Sequence, residues 1–511
     1  MLTKVFSVAN SGMDAIGIDV EVNVSNRGLP GFDIVGLATK AVDESRERVR
    51  AAIANSKMEF PQRKITVNLA PADFPKEGSS YDFPIAVGIL ASTAGFSVPE
   101  KSVFSGELSL DGGLRHTRGA LLIALYAKER GFQNVFVPAE SANEAAIVQG
   151  IKVYGFECLE QALAFLLGRE SVLPTRRSKE RGRRGEDAEF DMSEILGQEL
   201  AKRAAEIAAA GGHNMLMVGT PGAGKTMLAR ALPGILPPLN DEESLEVTKL
   251  YSVSGNIPPE GALITARPFR APHHTISQIG LIGGGQRPRP GEISLAHRGV
   301  LFLDELNEFP RSVLEALRQP MEDGHLTISR SMERVWYPAR FMLAASANPC
   351  PCGYLGSFRR ACACTPREVR NYRKRVSGPL LDRVDLHVEV PEVDVEKFAG
   401  NQSAAKNAEP SSAVRERVAM AREIQAQRFG GEKIFTNAEM KNAHLKQHAR
   451  LTQEGERILA RAASRYQFSA RAYVKTIKIA RTIADLGESE AIQVSHVAEA
   501  LQFRPKTYEP E

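Results

Sequence analysis

Gly219-Thr220-Pro221-Gly222-Ala223-Gly224-Lys225-Thr226 follows the pattern G-x-x-x-x-G-K-[ST]. An apolar run, Met215-Leu216-Met217-Val218, leads into it, and a helix-forming run, Met227-Leu228-Ala229-Arg230-Ala231-Leu232, leaves it. Strand, glycine loop and helix are the context in which this pattern cradles phosphate, because glycines let backbone N–H groups converge at a helix N-terminus. Lys225 then reaches the β- and γ-phosphates, and the Thr226 hydroxyl reaches Mg²⁺. The segment predicts a parallel α/β unit that binds a nucleoside triphosphate with Mg²⁺.

About eighty residues later comes Gly299-Val300-Leu301-Phe302-Leu303-Asp304-Glu305, an apolar strand ending in two carboxylates. A run apolar at every position reads as a strand buried on both faces. Asp304 is expected to hold Mg²⁺ and Glu305 to polarise the attacking water as general base. A third strand, Phe341 to Ala347, ends at Asn348, whose amide is placed to orient that water.

The rest of the 511-residue chain predicts about three domains. Residues 1–168 alternate strand-like and helix-like runs, including strands at Ile16–Val24, Ile65–Ala70 and Val135–Pro138 and a helix at Ala41–Ser56. Residues 169–190 form a basic linker whose Thr175–Asp187 portion carries six Lys or Arg and no apolar residue. The ATPase core is expected over 191–398, a second linker over 399–412, and a helical region over 413–511, with almost no turn signal between Gln453 and Leu486. Net charge is only +4, so a polyanion site must come from local clustering. No apolar run approaches the ~20 residues of a membrane span, and the N-terminus is not built like a signal peptide. Four of five cysteines lie between Cys350 and Cys364, which argues for a reducing, cytoplasmic setting rather than a disulfide framework.

The ordered segments resemble AAA+ ATPases, and Ile195-Leu196-Gly197-Gln198 is similar to the adenine-side strip of that class. Leu380-Leu381-Asp382-Arg383-Val384-Asp385 is similar to the arginine-finger segment of the magnesium-chelatase branch, and Ser469-Ala470-Arg471 to a sensor-2 motif reaching the phosphates from the lid. Arg267-Pro268-Phe269-Arg270-Ala271-Pro272-His273-His274, Gly283-Gly284-Gly285, Pro290 to His297 and Asn348-Pro349-Cys350-Pro351-Cys352-Gly353 narrow the resemblance to the ComM (YifB) family of magnesium-chelatase-like ATPases. That resemblance spans the whole chain. It implies a cytoplasmic homo-hexamer with ATP sites shared between subunits, an arginine finger supplied in trans, and ATP-driven branch migration on single-stranded or branched DNA during natural transformation. Arg270 in the insert, and Arg330 and Arg334 on the β-hairpin expected over Gly324–Arg340, are candidate DNA contacts, with subunit bracing the alternative for Arg270.

Cys350, Cys352, Cys362 and Cys364 form two C-x-C pairs, a ligand count that suits a tetrahedral Zn²⁺ shell, with free thiols the alternative. Near the N-terminus, Pro75-Lys76-Glu77-Gly78-Ser79-Ser80 and Ser105 to Leu110 resemble a Lon-protease domain. Ser80 falls at the nucleophile's place, but apolar Leu121 stands where the lysine belongs, and Arg118 stays protonated and cannot serve as base. The resemblance therefore implies a Lon-like α+β fold without peptidase activity. A chelatase motor and an ATP-dependent protease are the rival functions.

Overall fold

The computed structural model describes residues 2–36, 40–72, 76, 78–176, 188–257, 263–285, 288–329, 334–392, 408–432 and 434–505. The N-terminal region is built on a seven-stranded mixed sheet. Its order is Gly31–Val35, Lys64–Ala70, Asp14–Ser25, Leu2–Ser11, Ser102–Phe104, Asn134–Pro138 and Lys152–Phe156. Leu2–Ser11 pairs antiparallel with Asp14–Ser25 and parallel with Ser102–Phe104. Alternation along the strands divides two cores. Val5, Phe104 and Phe136 face helix Asp82–Ala94, while Val8, Val103, Val135 and Val137 face helix Ala120–Glu129. The helix expected at 41–56 is broken into Lys40–Asp43 and Ser45–Asn55.

The ATPase sheet has five parallel strands in the order Phe269–Arg270, Val300–Leu303, Met342–Ala347, Met215–Gly219, Leu386–Val390. The central strands Val300–Leu303 and Met342–Ala347 are buried along their whole length, so their residues are small or apolar at every position, whereas edge strand Leu386–Val390 alternates and exposes Glu389. Met215, Met217, Phe302 and Ala344 pack toward helices Glu199–Gly211 and Lys225–Ile235, and Leu216, Leu301, Leu303 and Leu343 toward Arg311–Ala316 and Gly378–Leu381. Two antiparallel hairpins are inserted, Gly283–Gly284 with Arg289–Pro290 and His325–Ser329 with Arg334–Pro338.

The C-terminal helices Ser411–Arg428, Gln453–Arg465, Ala470–Leu486 and Val494–Gln502 share one core with the ATPase helices. Arg422 and the Gln425 amide donate to the Ala209 and Ala210 carbonyls at 2.7 and 3.0 Å, satisfying the last turn of Glu199–Gly211. The uninterrupted helicity expected over 453–486 does not occur. Gln467 is left-handed at φ 48°, and Ser469 Oγ accepts from Ala472 N at 3.1 Å, an N-cap that starts the next helix. No helix among the described residues is long and apolar enough to cross a membrane.

Candidate functional site

The phosphate loop joins strand Met215–Gly219 to helix Lys225–Ile235. Gly222 and Gly224 sit at φ +79° and +88°, where a side chain is strained, and a Cβ on Gly219 would stand 2.2 Å from the Val390 carbonyl oxygen. Lys225 Nζ donates to Gly219 O at 2.6 Å, Thr220 O at 2.9 Å and Asn348 Oδ1 at 3.3 Å. Burial pushes its ammonium below the ordinary lysine value, against the pull of Asp304 and Glu305.

Thr226 Oγ1 donates to Asp304 Oδ2 at 2.9 Å, so a hydroxyl and a carboxylate converge as hard oxygen donors, a set that fits Mg²⁺. The other Asp304 oxygen takes the Ser346 hydroxyl and, at 3.0 Å, Glu305 N–H. Glu305 has φ +52°, an uncommon conformation for a side-chain-bearing residue, and this turns its carboxylate outward, 53% exposed. The His274 imidazole lies beside it, with Nδ1 3.9 Å from Oε2. The Gln198 amide, on the adenine-side strip, donates to Ala223 O at 3.1 Å and Pro391 O at 2.6 Å. The structure thus gathers Gly219 to Thr226, Gln198, Asp304, Glu305 and Asn348 at the C-terminal ends of the parallel strands. Ser346 and His274 join them. Ser346 does not stand out in sequence, since a strand serine has no fixed spacing from the loop, and His274 stands out there only as part of the family motif, not as a neighbour of Glu305.

Arg383 and Arg471 lie elsewhere. Asn214, which precedes the phosphate-loop strand, donates through its amide to Arg383 O at 3.1 Å and through its backbone to Asp385 Oδ2 at 3.0 Å. The intervening five-residue strand puts roughly 16 Å between this edge and the phosphate loop. Arg383 and Arg471 share the two oxygens of Glu322, and Lys475, one turn beyond Arg471, donates to Val384 O at 2.8 Å. The two arginines hold the Glu322 carboxyl below its usual range. These groups line a cleft of about 1190 Å³ between the sheet edge and the C-terminal helices. Arg471 thus stands at the opposite end of the strands from the phosphate loop of its own chain.

The insert also departs from expectation. Arg270 is held bidentately by Glu292, at 2.6 and 2.7 Å, so its fork is spent within the chain rather than offered to a phosphate. Arg267 is likewise buried against Glu243 at 2.7 Å. Arg334 is exposed at the mouth of the His325–Pro338 hairpin, whereas Arg330 lies outside the described residues. Trp336 on the same hairpin is 49% exposed, with its ring 5.8 Å from that of His325.

In the N-terminal sheet the segments around Ser80 and Gly106 meet. Gly106 N donates to Ser80 O at 2.9 Å, and Ser79 bonds Glu107. Leu121, however, is buried in the core on the opposite face of the sheet from the Ser80-bearing helix start, so position 121 is not beside Ser80.

Sulfur atoms of Cys350, Cys352 and Cys362 are 3.4 to 3.6 Å apart, and all four clustered cysteines, Cys364 included, place their ligand atoms within 4.8 Å of one another. Cys158 stands apart, with its thiol free.

Family models agree with this anatomy. One described as "Magnesium chelatase, subunit ChlI" matches residues 191–398, "Subunit ChlI of Mg-chelatase" matches 20–141, and the ChlI C-terminal model matches 408–504. Competence protein ComM of Haemophilus influenzae is 42% identical over 509 residues, covering 98% of this chain and 97% of its own. The uncharacterized protein YifB of Escherichia coli is 41% identical over 98% of this chain and 97% of its own. The magnesium-chelatase 38 kDa subunit of Rhodobacter capsulatus is 28% identical, over 31% of this chain and 50% of its own. With near-complete coverage at that identity, the chain belongs to the ComM/YifB family of magnesium-chelatase-like AAA+ ATPases.

Proposed function

We propose that this chain is the subunit of a homo-hexameric, ATP-driven DNA motor, a helicase that promotes branch migration while incoming DNA recombines during natural transformation. One observation carries the ring: the loop with Lys225 and the pair Arg383–Arg471 lie at opposite ends of the strands of one sheet. A complete hydrolytic site then needs the loop of one subunit and the arginines of the next.

In that site the loop amides and Lys225 bind the phosphates, and Glu305 accepts the proton of a water that Asn348 orients. Thr226 and Asp304 would hold Mg²⁺, which would supply charge neutralisation to the phosphates. Arg383 of the neighbouring subunit offsets the charge that develops in transfer, and Arg471 contributes from the same neighbour. DNA is gripped through its backbone without sequence readout, with Arg330 and Arg334 on the hairpin as candidate contacts and Arg270 as an internal brace. The N-terminal domain is read as a Lon-like fold without peptidase activity, since the position matched to the lysine carries apolar Leu121, buried in the core away from Ser80.

A metal-insertion motor is the second reading, favoured by the names of the matching family models. Against it, the chelatase subunit matches only 31% of this chain, whereas the competence protein matches its full extent. ATP turnover and strand displacement on three- and four-way DNA junctions, with Glu305→Gln as control, decide between them. Turnover stimulated by junction DNA and lost in the variant supports the motor. Turnover indifferent to DNA at every concentration tested sinks it.

A further inference from the structure

The cysteine loop grows directly out of the nucleotide site. Asn348, which accepts from Lys225, is followed by Pro349 and then Cys350. Gly353 and Gly356 take φ +84° and +85°, and these two turns fold the loop back on itself. A Cβ on Gly353 would stand 2.7 Å from the Pro221 ring, so the loop lies against the phosphate loop itself. At its far end Thr365 caps helix Pro366–Arg373, whose Tyr372 carbonyl accepts from the Asn307 amide at 2.9 Å, two residues beyond Glu305.

Within the loop the sulfurs are already gathered. A tetrahedral tetrathiolate site with Zn–S near 2.3 Å has S–S edges of about 3.8 Å. The observed 3.4 to 3.6 Å separations need only a few tenths of an ångström of expansion. Backbone amides complete the surroundings: Leu355 N points to Cys350 Sγ at 3.3 Å and Cys364 N to Cys362 Sγ at 3.4 Å, contacts that stabilise coordinated thiolates.

We propose that Cys350, Cys352, Cys362 and Cys364 bind one Zn²⁺ ion, and that the resulting knot pins Asn348, Pro221 and the Glu305 segment together. Binding exchanges the four thiol protons for the ion and leaves a dianionic centre, with no electron transferred. The metal site stands independently of the ATPase reading, whereas its effect on nucleotide rests on that reading.

The test begins with elemental analysis of the full chain purified under reductant with no added metal. The expected content is about one zinc per chain. Cys352→Ser should lose the metal, while Cys352→His, still a zinc ligand, should keep it. Iron at that stoichiometry, or zinc that survives Cys352→Ser, overturns the site. Should Cys352→Ser aggregate, cobalt exchange into the wild-type chain serves instead: intense thiolate-to-cobalt absorption supports the site and its absence overturns it. Binding of a fluorescent ATP analogue should weaken by about tenfold when zinc is withdrawn with a chelator. Unchanged affinity overturns the pinning, and no analogue binding by the zinc-loaded chain overturns the ATPase reading instead.

Discussion

The two ends of the ATPase sheet are built on opposite principles. At the C-terminal end, groups cluster around backbone: a glycine loop, a lysine resting on the Gly219 and Thr220 carbonyls, and a glutamate held at φ +52°. At the N-terminal end, groups cluster around side-chain charge: Glu322 divides its oxygens between two arginines, and partly buried Asp385 receives Asn214 N–H and Lys475. The first end is complete enough to bind a triphosphate. The second holds its cations on carboxylates of its own chain. In the ring proposed above, the loop of one copy and the arginines of the next would meet.

The sharpest way to break this comparison is Arg383→Ala. Turnover should fall by roughly 10³-fold, the scale of an arginine finger, with ATP affinity nearly unchanged. Rings mixed from Arg383→Ala and Lys225→Ala subunits should recover part of the activity, because each variant supplies the half the other lacks. If mixtures stay as dead as their parents, the separation of the halves has no catalytic meaning.

Next in size is Asp385→Asn. Burial pushes this carboxyl up, but bonds and charge from His213, Lys475 and Asn214 N–H prevail and hold it well below its ordinary value. A depressed acid contributes stability that is fully present above the ordinary value of 3.8 and is lost as pH falls through the lowered one. The variant should cost about 3 kcal/mol at pH 7 in urea unfolding, and the gap should narrow below pH 3.8. A gap that is the same at both pH values contradicts an ionised Asp385.

The two ends also differ in how far sequence reveals them. Gly219 to Thr226 was legible because eight consecutive residues carry both the turn geometry and the ligand chemistry. The strands were legible because burial on both faces leaves runs such as Val300–Leu303 wholly apolar. Partnerships at the other end join residues 149 and 169 positions apart, Arg471 with Glu322 and Asn214 with Arg383, and no local pattern encodes them. Arg270 misled for a related reason. A basic residue in a basic insert reads as free until folding brings Glu292 to its guanidinium. The helix break at Gln467 was hidden because Ser469, its capping residue, sits in a motif that was read for its arginine instead.

A smaller effect is expected at the C-terminal end from His274→Ala. The imidazole is 3.9 Å from the Glu305 carboxylate and follows the edge strand Phe269–Arg270, so it restrains a carboxylate that is otherwise half in solvent. Loss of that restraint should lower kcat by about tenfold and leave KM within error, the signature of positioning rather than binding. A change in KM alone would remove His274 from the site.

The smallest effect separates the arginines of the insert from those of the hairpin. Phosphate contacts release counterions, so deleting one should flatten the slope of log affinity against log salt by about one per contact and weaken binding severalfold for every DNA sequence. Arg334→Ala should do this, because its side chain is exposed beside the hairpin turn. Arg270→Ala should leave the slope alone and instead lower stability by about 1 kcal/mol, since it strands a partly exposed Glu292. If the two variants exchange these outcomes, the Arg270–Glu292 fork opens on DNA, and the insert rather than the hairpin carries the grip.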